Sequence, residues 1–415
     1  MKTNLNQKEE DVEFTGWANG GAALGRLADG RVVFTNDVLP GEKARVRYAD
    51  REARFISAEL VRLLTKSPMR IEPRCPLYGK CVHCCLQNLE YPDQLHAKRE
   101  ILLDHLTRIA GLPDAESLLQ PVIPSPAEWN YARSLILGLD GNGNFCVPDR
   151  NGGWLKLEAY CPVTADCLND VLASLAFEGE SGIGEAELRA DDEDGIQVIL
   201  RGDTDKPEDE MENDTEISVV YQGPETSWVM AGVSTLQQTA AGVKVCASDS
   251  SPFIKNPAIF TPLCEKLLSV LPDMRDISLL HINCGTGFWS HWFGTRCREV
   301  NALMADETQC EDFVYNLDEL DNVSLYIGDV KEILPPLPKP QREWVLLEGS
   351  VYGFHEEAVR EICSRDPEKI IVLYEDPAIL ARDLKRFTEN GRTVQMILPY
   401  DPAPQAAAIG AAALL

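Results

Sequence analysis

Cys75-Pro76-Leu77-Tyr78-Gly79-Lys80-Cys81-Val82-His83-Cys84-Cys85-Leu86-Gln87-Asn88-Leu89-Glu90-Tyr91-Pro92-Asp93-Gln94 places three cysteines, Cys75, Cys81 and Cys84, at a Cys-x5-Cys-x2-Cys spacing. Thiolates this close can share one soft metal centre, and soft thiolate ligands favour zinc or an iron–sulfur cluster. The common cluster types take four cysteines. Cys161, within Tyr160-Cys161-Pro162, is the best candidate for the fourth. By spacing alone zinc and a cluster stand level, and cysteines that merely pack are the plainer alternative. Cys85 and Cys167 are spare thiols that are easily mistaken for ligands.

The pattern Cys-Pro-x-x-Gly-x-Cys-x-x-Cys-x-x-Gln-x-x-x-Tyr, followed by Gln94-Leu95-x-x-Lys98-Arg99, resembles the cluster segment of the RNA 5-methyluridine (uracil-5) methyltransferases. The resemblance runs nearly the whole chain. It implies a 4Fe–4S cluster on Cys75, Cys81, Cys84 and Cys161, with a structural role in the central domain. One departure is local: the family's Gly-Gly before the third cysteine is Val82-His83 here.

The chain has 415 residues, enough for two or three domains with their own cores. Hydrophobic content of 44% and charged content of 25% are ordinary for a globular protein. Thirteen cysteines, an odd number, and no apolar segment in Met1–Glu10 point to a reducing compartment, the cytoplasm, and away from a disulfide framework. No run of 18 apolar residues exists, and Ala406–Leu415 is too short to span a bilayer, so no membrane association is expected. The net charge of −27 opposes non-specific nucleic-acid binding, which rests on Lys and Arg neutralising phosphates. The charge is uneven, however. Lys43, Arg45, Arg47, Arg51, Arg54, Arg62, Lys66 and Arg70 crowd the N-terminal part, where a local basic face can still meet RNA.

Residues 1–66 read as a small β-barrel, with strands over Asp11–Trp17, Arg31–Phe34, Lys43–Tyr48 and Arg54–Leu64 between glycine- and proline-rich turns. Gly20-Gly21-Ala22-Ala23-Leu24-Gly25-Arg26 with Leu39-Pro40-Gly41-Glu42 resembles a TRAM domain, an OB-like barrel that binds RNA. Residues 67–262 form a central domain. It begins with the cysteines and a helix from Pro92 to before Gly111, whose apolar stripe is Leu95, Leu102, Leu103, Leu106 and Ile109. From Pro121 to Phe260 it reads as β-rich and irregular. Glu128-Trp129-Asn130-Tyr131-Ala132-Arg133 is similar to a family Trp-x-Tyr-Arg-Asn motif, with one residue altered and the Arg displaced. The acidic runs Asp191–Asp194 and 205–216 read as solvated loops. Residues 263–415 alternate strand and helix, a Rossmann-like doubly wound sheet with its crevice at the strand C-termini. The fold class is thus α/β plus β in three domains.

Gly285 and Gly287, in Cys284-Gly285-Thr286-Gly287 after a buried strand, let a backbone approach a ligand. The loop resembles the family's Cys-Gly-x-Gly loop for S-adenosyl-L-methionine. Further positions follow from the resemblance. Ile254 replaces a cofactor-holding Gln in Pro252-Phe253-Ile254-Lys255-Asn256. His281 replaces an acid three positions before Cys284. Asp306 is the acid nearest the end of the second strand, where ribose hydroxyls would be held, and Asp329 matches the family's Gly-Asp.

Methylating uracil at C5 needs covalent help, because that carbon is a weak nucleophile. In the family a Cys thiolate adds to C6 and a carboxylate then removes the C5 proton. The family's Ser-Cys-Asn-Pro-x-Thr-x-x-Arg-Asp is Tyr374-Glu375-Asp376-Pro377-Ala378-Ile379-Leu380-Ala381-Arg382-Asp383 here, so the nucleophile position is Glu375. Cys363, the nearest thiol in sequence, reads as packing. The family's Phe-Pro-x-Thr-x-His-x-Glu is Ala403-Pro404-Gln405-Ala406-Ala407-Ala408-Ile409-Gly410, so the base position is Gly410. The Asp-Pro-Pro-Arg loop is Glu348-Gly349-Ser350-Val351, without the Arg. Nucleophile, base and substrate Arg are absent together, which implies a non-catalytic family member that binds rRNA or tRNA. DNA is not an expected partner. An active S-adenosylmethionine-dependent RNA methyltransferase with a non-standard site, and a redox-responsive iron–sulfur interaction protein, stand as alternatives.

Overall fold

Burial alternates along β1 (Gln7–Trp17), β2 (Ala23–Arg26), β3 (Val32–Thr35), β4 (Lys43–Ala49) and the first half of β5 (Phe55–Thr65), turning Val12, Phe14, Val33, Val46 and Ile56 inward. The strands close into a barrel in the order β1-β2-β3-β5-β4, which leaves no edge to pair with another chain. The structure, a computed structural model, describes residues 7–49, 53–158, 160–175, 177, 182–206, 217–305, 307–349 and 352–415. The glycine-rich stretch expected to be only a turn supplies β2. A Cβ at Gly25 would come within 2.6 Å of Val12 and 2.8 Å of the Glu13 carbonyl, so only glycine lets β2 lie on β1.

The basic crowd on the barrel is largely neutralised. Arg45 lies opposite Asp11 and Arg47 opposite Glu9 in the β1–β4 ladder, and each pair is ion-paired, at 2.7 and 2.6 Å. Arg70 pairs with the fully buried Glu42. Among the described residues, Lys43, Arg54, Arg62 and Lys66 keep no ion-pair partner; Arg51 lies outside them.

Glu42 ties the barrel to the chain that leaves it. Its carboxylate accepts from Leu39 N (2.8 Å), Ser67 N (3.0 Å) and the Arg70 guanidinium (2.6 and 2.7 Å). Burial alone would raise its pKa; the hydrogen bonds from Arg70, Ser67 and Leu39 override that and hold it below the ordinary 4.5. A carboxyl depressed on folding stabilises the protein above its unfolded pKa, and that contribution is lost as pH falls through the folded value. Glu42→Gln is therefore expected to cost about 2 kcal/mol at neutral pH. Urea midpoints of the two proteins should converge as the pH is lowered below about 4; a gap that persists there would refute this account.

After the cysteines come α1 (Tyr91–Arg108) and the short α2 (Ala115–Leu118). The buried face of α1 is not the expected leucine stripe. Gln94, Ala97, Lys98, Ile101, Leu102, His105 and Leu106 are buried, whereas Leu95, Leu103 and Ile109 are only half-buried. The helix packs on the C-terminal sheet's helices, so its Leu102 and Leu106 belong to that core.

The region read as irregular is a seven-stranded sheet. It comprises β6 (Ser134–Leu139), β7 (Phe145–Pro148), β8 (Trp154–Lys156), β9 (Ile183–Ala190), β10 (Ile196–Gly202), β11 (Ser218–Gln222) and β12 (Ser227–Ala231), in the order β12-β11-β10-β9-β6-β7-β8. Helix α3 (Asp166–Ser174) covers its core. Asp191–Asp194 is the tight turn between β9 and β10, with Asp191 accepting from Glu193 N and Gly195 N. Residues 207–216 of the second acidic run lie outside the described residues. A hairpin of β13 (Thr235–Ala240) and β14 (Val243–Ser248) and helix α4 (Phe260–Val270) lead into the last sheet.

That sheet holds β15 (Ser278–Ile282), β16 (Glu299–Met304), β17 (Val323–Ile327), β18 (Glu343–Glu348), β19 (Lys369–Tyr374), β20 (Met396–Tyr400) and β21 (Gly410–Leu414). The order is β17-β16-β15-β18-β19-β21-β20, with β21 antiparallel to both neighbours. Helices α5 (Phe288–Gly294), α6 (Cys310–Leu317), α7 (Val330–Ile333), α8 (Glu356–Ser364) and α9 (Pro377–Glu389) connect its strands. The chain reverses direction across the sheet between β15 and β18, and a crevice opens where strand order reverses. The C-terminal ends of β15, β18 and β19 deliver Gly285, Glu348 and Glu375 to it. Among the described residues no helix is long and apolar enough to cross a membrane.

Candidate functional site

Two cavities collect the residues singled out above. Cys75, Cys81, Cys84 and Cys161 line one cavity of about 180 Å³ together with Leu135, Val147 and Leu157. The four thiols come from two stretches that β6 and the Pro162–Thr164 segment bring together: Ala132 bridges Thr164, and Asn169 holds Cys161 through its N (2.9 Å) and its O (3.2 Å). The walls are apolar, and burial pushes the Cys84 thiol up to about 12. The spare thiols point elsewhere. Cys85 packs with Leu86, Leu89 and Ala407 beneath Gly21, and Cys167 lies 3.8 Å from Arg133. Among the described residues no three Cys, His, Asp or Glu groups converge on a single-ion site.

The second cavity, about 380 Å³, is the crevice. Ile254, Gly285, Gly287, Glu348, Glu375 and Ala408 all line it. Gly287 is required twice over: its φ is +96°, and a Cβ would meet Leu317 at 2.4 Å. Ile254 is held by Gln238, which donates to its O (2.9 Å) and accepts from its N (3.0 Å). Asp329 is not on the lining. It caps α7, accepting from Lys331 N at 2.8 Å. Asp306, Ser350 and Val351 lie outside the described residues.

The positions read as matching the family's nucleophile and base, Glu375 and Gly410, carry no thiol. Glu375 stands at the mouth beyond β19, exposed yet flanked by the cleft walls. Burial by those walls first, and the Glu348 charge second, raise its pKa, while Lys255 opposes them. Glu348 lies 3.0 Å from His281 Nε2 in poor hydrogen-bond alignment, and His281 Nδ1 is 2.7 Å from Ser290 Oγ. Cys284 is the cysteine on the described lining, but it is buried against Phe313, Met304 and Leu317. Burial, and then Glu348, push its thiol above the ordinary range, which favours the neutral form. Gly410 sits directly opposite Tyr400 in the β20–β21 ladder, and a Cβ there would lie 2.2 Å from the Tyr400 ring. The base position is thus sealed by an aromatic ring.

Several residues on these walls were not singled out from sequence. Lys255 lines both cavities, and Tyr400, Phe260 and Trp289 close the far end of the crevice. The Trp129–Arg133 motif is structural here: Tyr131 donates to the Pro404 carbonyl (3.0 Å), and Arg133 turns away to Asp194 (2.7 Å).

No family model matches the chain. An RNA methyltransferase of Streptomyces coelicolor, itself uncharacterized, is 26% identical over 99% of this chain and 93% of its own length. The 23S rRNA (uracil(1939)-C(5))-methyltransferase RlmD of Vibrio parahaemolyticus is 25% identical over 100% of this chain and 97% of its own. Among solved structures, the Pyrococcus abyssi tRNA (uracil-54, C5)-methyltransferase in complex with S-adenosyl-L-homocysteine superposes with a TM-score of 0.72. It is 18% identical and covers 97% of this chain and 99% of its own, which shows a shared fold. Over nearly its whole length this chain is thus similar to proteins named RNA methyltransferases, the 23S rRNA uracil-C5 enzyme among them, and it shares the fold of a tRNA uracil-C5 methyltransferase.

Proposed function

We propose that this protein binds RNA, rRNA or tRNA, on the family scaffold without carrying out the family's uracil C5 chemistry. The observation that carries the reading is the pair of substituted positions in the crevice. Glu375 stands where a thiolate is needed, and Gly410 lies under Tyr400 where a base is needed. A carboxylate is a hard, weak nucleophile and does not add to a pyrimidine C6. With no acid at position 410, the C5 proton would have no acceptor there.

The relatives act on 23S rRNA and tRNA, which supports RNA as the partner. The unpaired cations Lys43, Arg54, Arg62 and Lys66 are the barrel's means of meeting phosphates. In the cysteine cavity the residues present fit a 4Fe–4S cluster. Cys75, Cys81, Cys84 and Cys161 would hold it, and it would tie the segment around Cys75–Cys84 to the central sheet. For S-adenosylmethionine the fit is partial. Gly285, Gly287 and Ile254 offer an open loop and wall, while Asp329 is committed to its helix cap. When bound, that cofactor supplies an electrophilic methyl group.

Incubation with labelled S-adenosylmethionine and bulk RNA is expected to give transfer no greater than a heat-killed control, while a gel shift shows salt-sensitive RNA binding. Methyl transfer above the control would overturn the inactive reading, and absence of any shift would overturn RNA binding. Restoring the two groups is not expected to restore chemistry. Gly410→Glu forces its side chain into the Tyr400 ring and should cost about 1–3 kcal/mol. Glu375→Cys with Gly410→Glu should stay inert and melt earlier than Glu375→Cys alone. An active double variant with an unchanged melting point would show that Tyr400 yields.

A further inference from the structure

The far end of the crevice opens into a cavity of about 510 Å³ whose walls suit one kind of ligand. Two carboxylates, Glu348 and Glu375, face it from the ends of β18 and β19. Among the described residues Glu375 has neither a hydrogen bond nor an ion pair. Lys255 stands at the rim of the adjoining crevice but lies beyond ion-pair distance of either acid. Asp376 also lines the cavity, with its carboxylate spent on the N-terminus of α9.

A second, independent feature points to a ligand. Tyr400 is 6% exposed, lines the same cavity, and its hydroxyl has no hydrogen-bond partner among the described residues. The hydroxyl is not among the sealed, unpartnered polar atoms, so it is reached from the cavity and free to accept a hydrogen bond from a bound ligand. The ring and both acids line this one cavity, and after burial the two carboxylates raise the Tyr400 pKa further. Phe260 and Trp289 complete the wall with aromatic surface, their ring centroids 5.9 Å apart.

We propose that this end of the crevice binds an organic cation bearing a primary ammonium group. Three acceptors, the Glu348 and Glu375 carboxylates and the Tyr400 hydroxyl oxygen, match the three donors of an –NH3+ group. The aromatic wall takes the alkyl stem and adds cation–π attraction. The same acids repel phosphate, so the ligand is a small amine rather than the RNA backbone. This inference does not depend on RNA binding.

Calorimetric titration of the full chain with n-butylammonium tests it, with butyrate and tetramethylammonium as comparisons. Saturable butylammonium binding is expected, with E348Q and E375Q each weakening it about tenfold or more. Y400F should weaken it about threefold to tenfold. Butyrate should give no heat, and tetramethylammonium, which has no N–H, should bind about tenfold more weakly. Glu375 is exposed, so E375Q is expected to melt as wild type does; should any variant fail to fold, the others and the three ligands decide. No saturable heat with butylammonium, equal binding in the Glu-to-Gln variants, or tetramethylammonium binding as tightly as butylammonium would each overturn the proposal.

Discussion

Cys161→Ala is expected to strip the protein of iron and acid-labile sulfide and to move most of it into the insoluble fraction. Cys75→Ala, Cys81→Ala and Cys84→Ala should do the same, because all four thiols line one cavity. Cys85→Ala and Cys167→Ala should keep their iron, because those thiols pack beneath Gly21 and beside Arg133. The size of the effect follows from what the cavity would become. An apolar void of about 180 Å³ with nothing in it costs about 4 kcal/mol at roughly 24 cal/mol per Å³. The metal–thiolate bonds themselves come on top, on the order of 10 kcal/mol for structural zinc sites. Either figure alone approaches the whole stability of an ordinary domain, about 5–15 kcal/mol. The measurement is iron and sulfide content per chain after anaerobic purification, with the soluble fraction of each variant. A soluble Cys161→Ala protein carrying as much iron as wild type would remove Cys161 from the ligand set. Wild-type protein that stays folded and melts unchanged after its iron is chelated would remove the structural role.

The central strands of the C-terminal sheet, β15, β18 and β19, were legible because each is a nearly continuous buried run. Gly410–Leu414 is the instructive case. Alanine is the best helix former, yet Ala411, Ala412 and Ala413 form a strand, because β21 is wedged between β19 and β20 where small side chains fit. Its position was readable from the resemblance and not from propensity. The glycine loop and both glutamates, singled out on the same resemblance, line one crevice. What stayed hidden was pairing between distant positions. Arg45 and Arg47 read as a basic face because Asp11 and Glu9, their cross-strand partners, stand 34 and 38 positions away in sequence. The central sheet looked irregular because β6–β12 are short and one neighbour pair, β10 and β11, runs parallel although an acidic stretch of sequence separates the two strands. Asp329 matched a motif, but no motif reports that a carboxylate is already committed to a helix N-terminus. Tyr400 was silent because its role depends on the residue opposite it, Gly410.

Lys98 was hidden for a related reason, and replacing it should have the second large effect. It lies on the buried face of α1, in the very turn where sequence reads only a family Lys-Arg pair. Its ammonium donates to Asp401 Oδ1 (2.5 Å) and to the Ala403 carbonyl (2.9 Å), and both side chains of the ion pair are fully buried. Burial pulls Lys98 below the ordinary lysine range while Asp401 works against it. Asp401 also accepts from Ala403 N (3.0 Å), and the Tyr91 hydroxyl lies near enough to interact with its carboxylate. Lys98→Met would therefore leave an uncompensated buried carboxylate, at a cost of about 3–5 kcal/mol. Asp401→Leu would leave a buried ammonium and should cost about as much. Lys98→Met with Asp401→Leu removes both charges and should cost far less than the two single changes together. The consequence reaches the crevice, because the loop that Lys98 holds is also pinned by Gln94 to Gln405 (2.9 Å) and by Asn256 to the Pro402 carbonyl (3.1 Å). Pro402, Ala403 and Ala408 of that loop line the crevice wall. Urea midpoints of the three variants decide the matter. Single changes that cost under about 1 kcal/mol, or costs that simply add in the double variant, would mean that the pair is not what fixes this loop.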